Sequence, residues 1–158
     1  IDALLSPIMT SHQKKEFERE CVINFSFEKE PLGRFKASIF RQRGTTGAIL
    51  RRIPDRIPTL EELNLPPVLR ELAHKNSGLV LVTGSSGSGK STTLACLIDM
   101  LNSDRRCHIV TIEDPIEYTH IHRNRIVSQR EIGTDSLSFI NALKQTTRQD
   151  PDVIFIGS

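Results

Sequence analysis

Gly84-Ser85-Ser86-Gly87-Ser88-Gly89-Lys90-Ser91 satisfies G-x-x-x-x-G-K-[ST] and lies between two strongly patterned segments. Before it, 78–83 (GLVLVT) is a short apolar run that predicts a buried strand. After it, 91–101 places Leu94, Leu97, Ile98 and Leu101 on one helical face. Strand, glycine loop and helix in that order are the setting in which this motif cradles phosphate. Glycines at 84, 87 and 89 let backbone N–H groups turn inward without Cβ obstruction, and the helix N-terminus adds its dipole. Lys90 is then expected to reach β- and γ-phosphate oxygens, Ser91 to place its hydroxyl on Mg²⁺, and Thr92 to stand near the α-phosphate. The expected ligand is a magnesium nucleoside triphosphate, and the motif does not separate ATP from GTP.

The rest of the composition sets wider bounds. The chain has 158 residues, 37% apolar and 25% charged, which suits a soluble globular protein with a real core. No apolar run reaches the roughly 18 residues of a membrane span, and the first residues (IDALLSPIM) lack the pattern of a signal peptide. A cytoplasmic location is the expectation. Cys21, Cys96 and Cys107 are never spaced as C-x-x-C, which predicts buried free thiols rather than a disulfide or zinc site. Net charge is only +2, yet Arg34, Lys36, Arg41, Arg43, Arg51, Arg52 and Arg56 stand against Asp55 alone in their window. A solvated sheet face, contact with nucleotide phosphates and contact with nucleic acid all fit such a strip. Aromatic interleaving is thin, with Phe35 and Phe40 expected to face inward.

Two prolines in IPDRIPT interrupt the pattern near 53–59 and divide the chain. The expected organisation is an N-terminal domain over 1–53, a linker over 54–59 and a second domain over 60–158. In the first, Ser11–Glu20 predicts a charged helix, and 21–27, 33–43 and 46–53 predict strands joined by turns at Pro31-Leu32-Gly33 and Gly44. Phe35, Ala37 and Ile39 alternate with Arg34, Lys36 and Ser38, as in a half-buried antiparallel sheet. In the second, Thr59 and Glu62 suggest a capping box, Pro66-Pro67 opens a helix closed near Asn76–Gly78, and 107–112 (CHIVTI) and 153–157 (VIFIG) predict strands. Asp135 or Ser136 is the expected cap of a helix running to about Arg148. Strands alternating with helices mean a parallel sheet, so the fold class is α/β.

The second chemical candidate is 111–118, TIEDPIEY, where Glu113 and Asp114 follow a strand expected beside the phosphate-loop strand. A carboxylate there can orient the attacking water or Mg²⁺, and Pro115 stiffens the backbone presenting it. His120 and His122 share a spacing that could hold a metal, but no third ligand has recognisable spacing, and a solvent-exposed loop is the expected setting.

The combination LVTGSSGSGKSTTLACLIDMLN, HIVTIEDPIEYTH, SQREIGTDSLSF and ALKQTTRQDPDVIFIG resembles the PilT-type retraction ATPases of type IV pili, within the secretion ATPases. The resemblance extends back through LLSPIMTSHQKKEFE, FSFE, GRFKASIFRQRG and IPTLEELNLPPVL, so it covers essentially the whole chain. It implies a small PAS-like antiparallel α+β domain followed by the first part of a RecA-like P-loop domain. It further implies ATP hydrolysis that drives pilus retraction and twitching motility, in a homo-hexamer docked on inner-membrane platform proteins from the cytoplasmic side. Nucleic acid is not an expected partner. By the same resemblance Gly84 to Ser91 is the Walker A segment and Lys90 and Glu113 are catalytic. Arg34 and Arg51 are then basic positions that approach a neighbouring subunit's nucleotide.

Two departures qualify that resemblance. Lys36 stands where an arginine is common, and an ammonium cannot reproduce a bidentate guanidinium contact. After DPDVIFIG the family has a glutamate, whereas this chain has Ser158. A truncated motor is therefore one expectation, and a non-catalytic nucleotide-binding remnant or interaction module is the alternative.

Overall fold

The computed structural model describes residues 2–104, 106–123 and 126–157. The chain divides into two units, Ile1–Asp55 and Arg56–Ser158. In the first, α1 (Asp2–Leu5), a 3₁₀ turn (Ser6–Ile8) and α2 (Ser11–Glu20) precede three strands, β1 (Val22–Lys29), β2 (Gly33–Gln42) and β3 (Thr45–Arg52). Helix α2 starts where a full capping box forms, Thr10 Oγ1 accepting from Gln13 N at 3.2 Å and Gln13 Oε1 accepting from Thr10 N at 2.8 Å. It ends at Cys21, whose N–H makes the last i→i−4 bond to the Phe17 carbonyl and whose left-handed φ of 59° turns the chain out of the helix into β1. That cap leaves Cys21 exposed, unlike the buried Cys96 and Cys107, and so corrects the expectation of three buried thiols.

The strands form an antiparallel sheet in the order β1-β2-β3, as the alternation in 34–39 predicts. The register pairs Phe25 with Ala37 and Leu50, and Ile23 with Ile39 and Ala48. On that face Leu5, Phe17, Ile23, Phe25, Ala37 and Ile39 make one core, with Phe27 stacked on Phe35 at 5.5 Å. The other face carries Arg34, Lys36 and Arg51, Lys36 and Arg51 being direct cross-strand partners. Phe40 also lies on this second face, correcting its expected inward direction. Its ring covers Gly47, where an added Cβ would stand 2.9 Å from it.

In the second unit, α3 (Val68–Ala73), α4 (Lys90–Asp104), β4 (His108–Glu113), β5 (Ile126–Glu131), α5 (Phe139–Thr146) and β6 (Val153–Gly157) form a parallel sheet in the order β5-β4-β6. The Thr59–Glu62 pair makes both capping-box hydrogen bonds, but around a turn rather than a helix. Helix α4 is buried on two sides. Ile98 and Leu101 pack on Ile109 and Val127 of the sheet, while Cys96 and Leu97 pack on Leu60, with Leu63, Leu65 and Leu69 around them.

Three expectations are corrected here. The run 78–83 forms no strand, and Leu79 and Leu81 are 82% and 75% exposed. Both edges of β4, its expected neighbour, are taken by β5 and β6, and the run pairs with neither outer edge of that sheet. The expected neighbour of the phosphate-loop segment is thus occupied on both sides. Strand β5 itself was not expected, because Ser128, Gln129, Arg130 and Glu131 give it a polar composition. Helix α5 is capped by Ser138, whose Oγ accepts from Asn141 N at 3.2 Å. Asp135 instead accepts from the Glu131 N–H at 2.8 Å, which takes it out of competition for the cap.

The two faces of the first sheet give a sharp contrast in stability. Ile39→Ala, at a fully buried position, is expected to cost about 2–5 kcal/mol, whereas Ile49→Ala, at a 60% exposed one, is expected to stay within about 0.5 kcal/mol. Chemical denaturation of the full-length protein checks this, and equal losses at both positions would refute the assignment of faces.

Candidate nucleotide and catalytic site

The loop 84–89 has the backbone that its glycines were expected to permit. Gly84, Gly87 and Gly89 have φ values of 154°, 76° and 93°. At Gly84 the positive φ favours glycine, and a Cβ would also stand 2.6 Å from Ser88 Oγ, a hydroxyl that would have to rotate away. Helix α4 begins at Lys90, and Thr93 N donates to Gly89 O at 2.9 Å. Lys90 Nζ donates to the carbonyls of Gly84 and Ser85 at 3.0 and 2.9 Å. The ammonium thus spans the loop on neutral acceptors, which anionic phosphate oxygens can replace with stronger, charge-assisted bonds. Thr92 Oγ1 hydrogen-bonds the Tyr118 hydroxyl at 3.1 Å.

Strand β4 carries the carboxylate. Ile109, Thr111 and Glu113 alternate onto one face, and Ile109 packs against α4 there. Glu113 ends the strand opposite Glu131 of β5 and Gly157 of β6. It lines one small cavity together with Ser91, Ala95, Tyr118, His120 and Phe155. Gly157 keeps that cavity open, because a Cβ there would meet the Phe155 ring at 2.8 Å and Glu113 Cγ at 3.4 Å. Burial pushes the Glu113 carboxyl above the ordinary carboxylate range, while hydrogen bonds from Thr111, Gln129 and the Glu117 backbone pull it back. Asp114, the other candidate of the pair, is exposed and does not line the cavity. Ser158 lies outside the described residues. Arg34 and Arg51 sit on the helix-free face of the first unit, where Arg34 Nη2 donates to Ser26 Oγ at 3.0 Å.

The segment after Glu113 is tied down on two sides by side chains that sequence reasoning missed. Along β5, Glu131 accepts from Ile116 N at 2.9 Å, and Gln129 accepts from His120 N and donates to Tyr118 O, both at 2.8 Å. Along α4, Asn102 donates to Ile121 O at 2.9 Å, and Arg123 reaches Ser103 Oγ at 2.9 Å and Asp99 at 3.6 Å. Val127, Gln129 and Glu131 at a period of two were the available signal, obscured by Ser128 and Arg130 between them. Among the described residues, no three His, Cys, Asp or Glu side chains converge as a metal cluster.

His120 is not in the expected solvent-exposed loop. It faces the cavity, its Nδ1 is buried without a hydrogen-bond partner, and burial lowers its pKa from the ordinary 6.5. A histidine whose folded pKa is depressed stabilises the fold above 6.5, and that contribution is lost as pH falls through the window below it. Wild-type protein is therefore expected to lose more thermal stability than His120→Gln between neutral and mildly acid pH. Parallel melting curves against pH would contradict this placement.

Comparison with known proteins agrees with the geometry. The sequence profile described as "Type II/IV secretion system protein" matches residues 58–158. The chain is 49% identical over 150 residues to the type IV pilus ATPase PilU of Pseudomonas aeruginosa, covering 95% of this chain and 39% of that protein. It is 45% identical over 157 residues to the type IV pilus retraction ATPase PilT of the same organism, covering 99% of this chain and 46% of that protein. The crystal structure of the pilus retraction motor PilT with bound ADP superposes with a TM-score of 0.92 at 46% identity, over 99% of this chain and 46% of that one. The Legionella pneumophila ATPase DotB gives a TM-score of 0.83 at 29% identity, over 98% and 45% respectively. The chain thus spans less than half the length of these relatives. Both units follow the architecture of these ATPases, an antiparallel N-terminal sheet and the start of a RecA-like domain, and the chain belongs to the type II/IV secretion system protein family, with strong similarity to PilT and PilU.

Proposed function

We propose that this chain is the N-terminal and nucleotide-binding part of a motor ATPase that hydrolyses ATP to drive pilus retraction and twitching motility. The observation that carries the reading is the convergence of the phosphate loop and a buried carboxylate: Ser91, at the start of α4, and Glu113, at the end of β4, line one cavity. A PAS-like domain over 1–53, a linker over 54–59 and a RecA-like domain from 60 onward fit the division of the chain after Asp55.

The chemistry follows from this chain's own groups. Loop N–H groups and the α4 N-terminus bind the phosphates, and Lys90 exchanges the Gly84 and Ser85 carbonyls for β- and γ-phosphate oxygens. The Ser91 hydroxyl suits Mg²⁺, a hard cation that keeps several waters and takes few protein ligands, and no larger protein cage is needed. Bound there, the ion supplies charge neutralisation across the phosphates. Glu113 orients the water that attacks in line, and its raised proton affinity suits it to accept a proton in a partly dry site. The exposed Arg51 and half-buried Arg34 are free of the helices of their own unit and present guanidinium groups on one face. In a homo-hexamer at the cytoplasmic side of the pilus base, that face meets the neighbouring subunit's nucleotide. No described helix is long and apolar enough to cross a membrane; in the proposed assembly the motor docks on inner-membrane platform proteins.

Two substitutions in the full-length protein test the assignment. Lys90→Ala is expected to weaken ATP binding about 10- to 100-fold, the worth of one or two charge-assisted bonds, and unchanged affinity in a titration would show that the loop is not the site. Glu113→Gln is expected to reduce kcat by about 100-fold or more while ATP affinity stays within about threefold, since the carboxylate acts on water rather than on the ground-state nucleotide. Parallel loss of binding and turnover would make Glu113 a structural or metal-holding group.

A further inference from the structure

Glu113 does not hold its own position. Thr111 Oγ1 donates to Glu113 Oε1 at 2.7 Å, and Gln129 Nε2 donates to the same oxygen at 3.2 Å. Thr111 and Gln129 are register partners on β4 and β5, so two neighbouring strands aim their donors at one atom. The Gln129 amide is then used almost to capacity. Its Nε2 also donates to Tyr118 O at 2.8 Å, and its Oε1 accepts from His120 N at 2.8 Å. The orientation of the amide is determined by these partners, because the Tyr118 carbonyl can only accept and the His120 N–H can only donate. Tyr118 in turn bonds Thr92 on the first turn of α4, so one side chain connects the carboxylate to the segment that touches the nucleotide-binding helix.

We propose that Gln129 is a positioning residue for hydrolysis: with Thr111 it commits Oε1 of Glu113 to the protein, fixes the orientation in which the carboxylate meets the attacking water, and locks the 118–120 backbone beside it. The inference rests on the reading of Glu113 as the water-orienting carboxylate. Gln129 touches neither nucleotide nor water in this scheme and acts through Glu113. A rotation of that carboxylate by the loss of one of its two side-chain donors is enough to misplace the water, and misplacement of this order is costly in rate. A merely structural glutamine would instead be needed for folding and nucleotide binding alike.

The test uses the full-length protein and three readouts: ATP affinity by titration, kcat, and the carboxyl infrared band that Glu113→Gln removes from the spectrum. Gln129→Met keeps the volume and removes the hydrogen bonds. It is expected to lower kcat about tenfold, leave ATP affinity within about twofold, and displace the Glu113 band. If Gln129→Met does not fold, Gln129→Asn, which keeps an amide but withdraws it from Glu113, carries the same expectation. Wild-type kcat with an unmoved band in a folded variant overturns the proposal, and so does a loss of kcat that only follows a loss of ATP affinity. If Glu113→Gln proves fully active, the assigned role of Glu113 fails separately. The band still decides the clamp: displacement upholds Gln129 as the group that positions Glu113, and an unmoved band overturns it.

Discussion

Strand β4 is hydrogen-bonded along both of its edges, by β5 on one side and β6 on the other. That double pairing is the constraint on which the site depends. It buries Ile109, Val110, Thr111 and Ile112 completely, and it presents Glu113 at the strand's carboxyl end between Glu131 and Gly157. In open parallel sheets such strand ends are where ligands gather, because the crossover helices begin there and direct their N-termini at the same region. Helix α4 meets β4 through Ile98, Leu101 and Ile109, so apolar packing lower in the sheet sets the placement of Ser91 and Glu113 above it.

A buried carboxylate is expensive in stability, and the surrounding polar groups show how this fold manages the cost. The hydroxyl of Thr111 and the amide of Gln129 offset part of the desolvation of Glu113 without neutralising it with a cation. The result is a carboxylate with a raised affinity for protons beside the start of α4. Gly157 contributes by what it lacks, since any side chain there would crowd Phe155 and Glu113.

The first unit solves a different problem. Its sheet needs only one covered face, and α1 and α2 cover it with Leu5 and Phe17 over Ile23, Phe25, Ala37 and Ile39. The opposite face carries Arg34, Lys36, Arg51 and small polar residues together with the exposed Val22 and Ile49, and Phe40 there shields Gly47. Arg41, on the covered side, is instead placed 5.2 Å over the Phe17 ring.

Much of this was legible in order of amino acids alone. Strict alternation in 34–39, the glycines and lysine of 84–91 and the helical period after them act through local geometry, so the antiparallel sheet, the phosphate loop and α4 could be read directly. Glu113 was legible as a candidate for the same reason, as the acid closing an apolar strand. What the sequence could not decide was pairing. The run 78–83 has the apolar pattern of a strand yet is unpaired, and the polar 126–131 is a strand because the edge of β4 satisfies its backbone. The exposure of Asp114 beside the buried Glu113 that the resemblance had already singled out, the inward turn of His120 and the convergence of Thr111 and Gln129 on one oxygen became visible only in three dimensions. Local pattern determines which conformations a segment favours, whereas hydrogen-bond partners and burial belong to residues far apart in the chain, and only the folded arrangement brings them within reach.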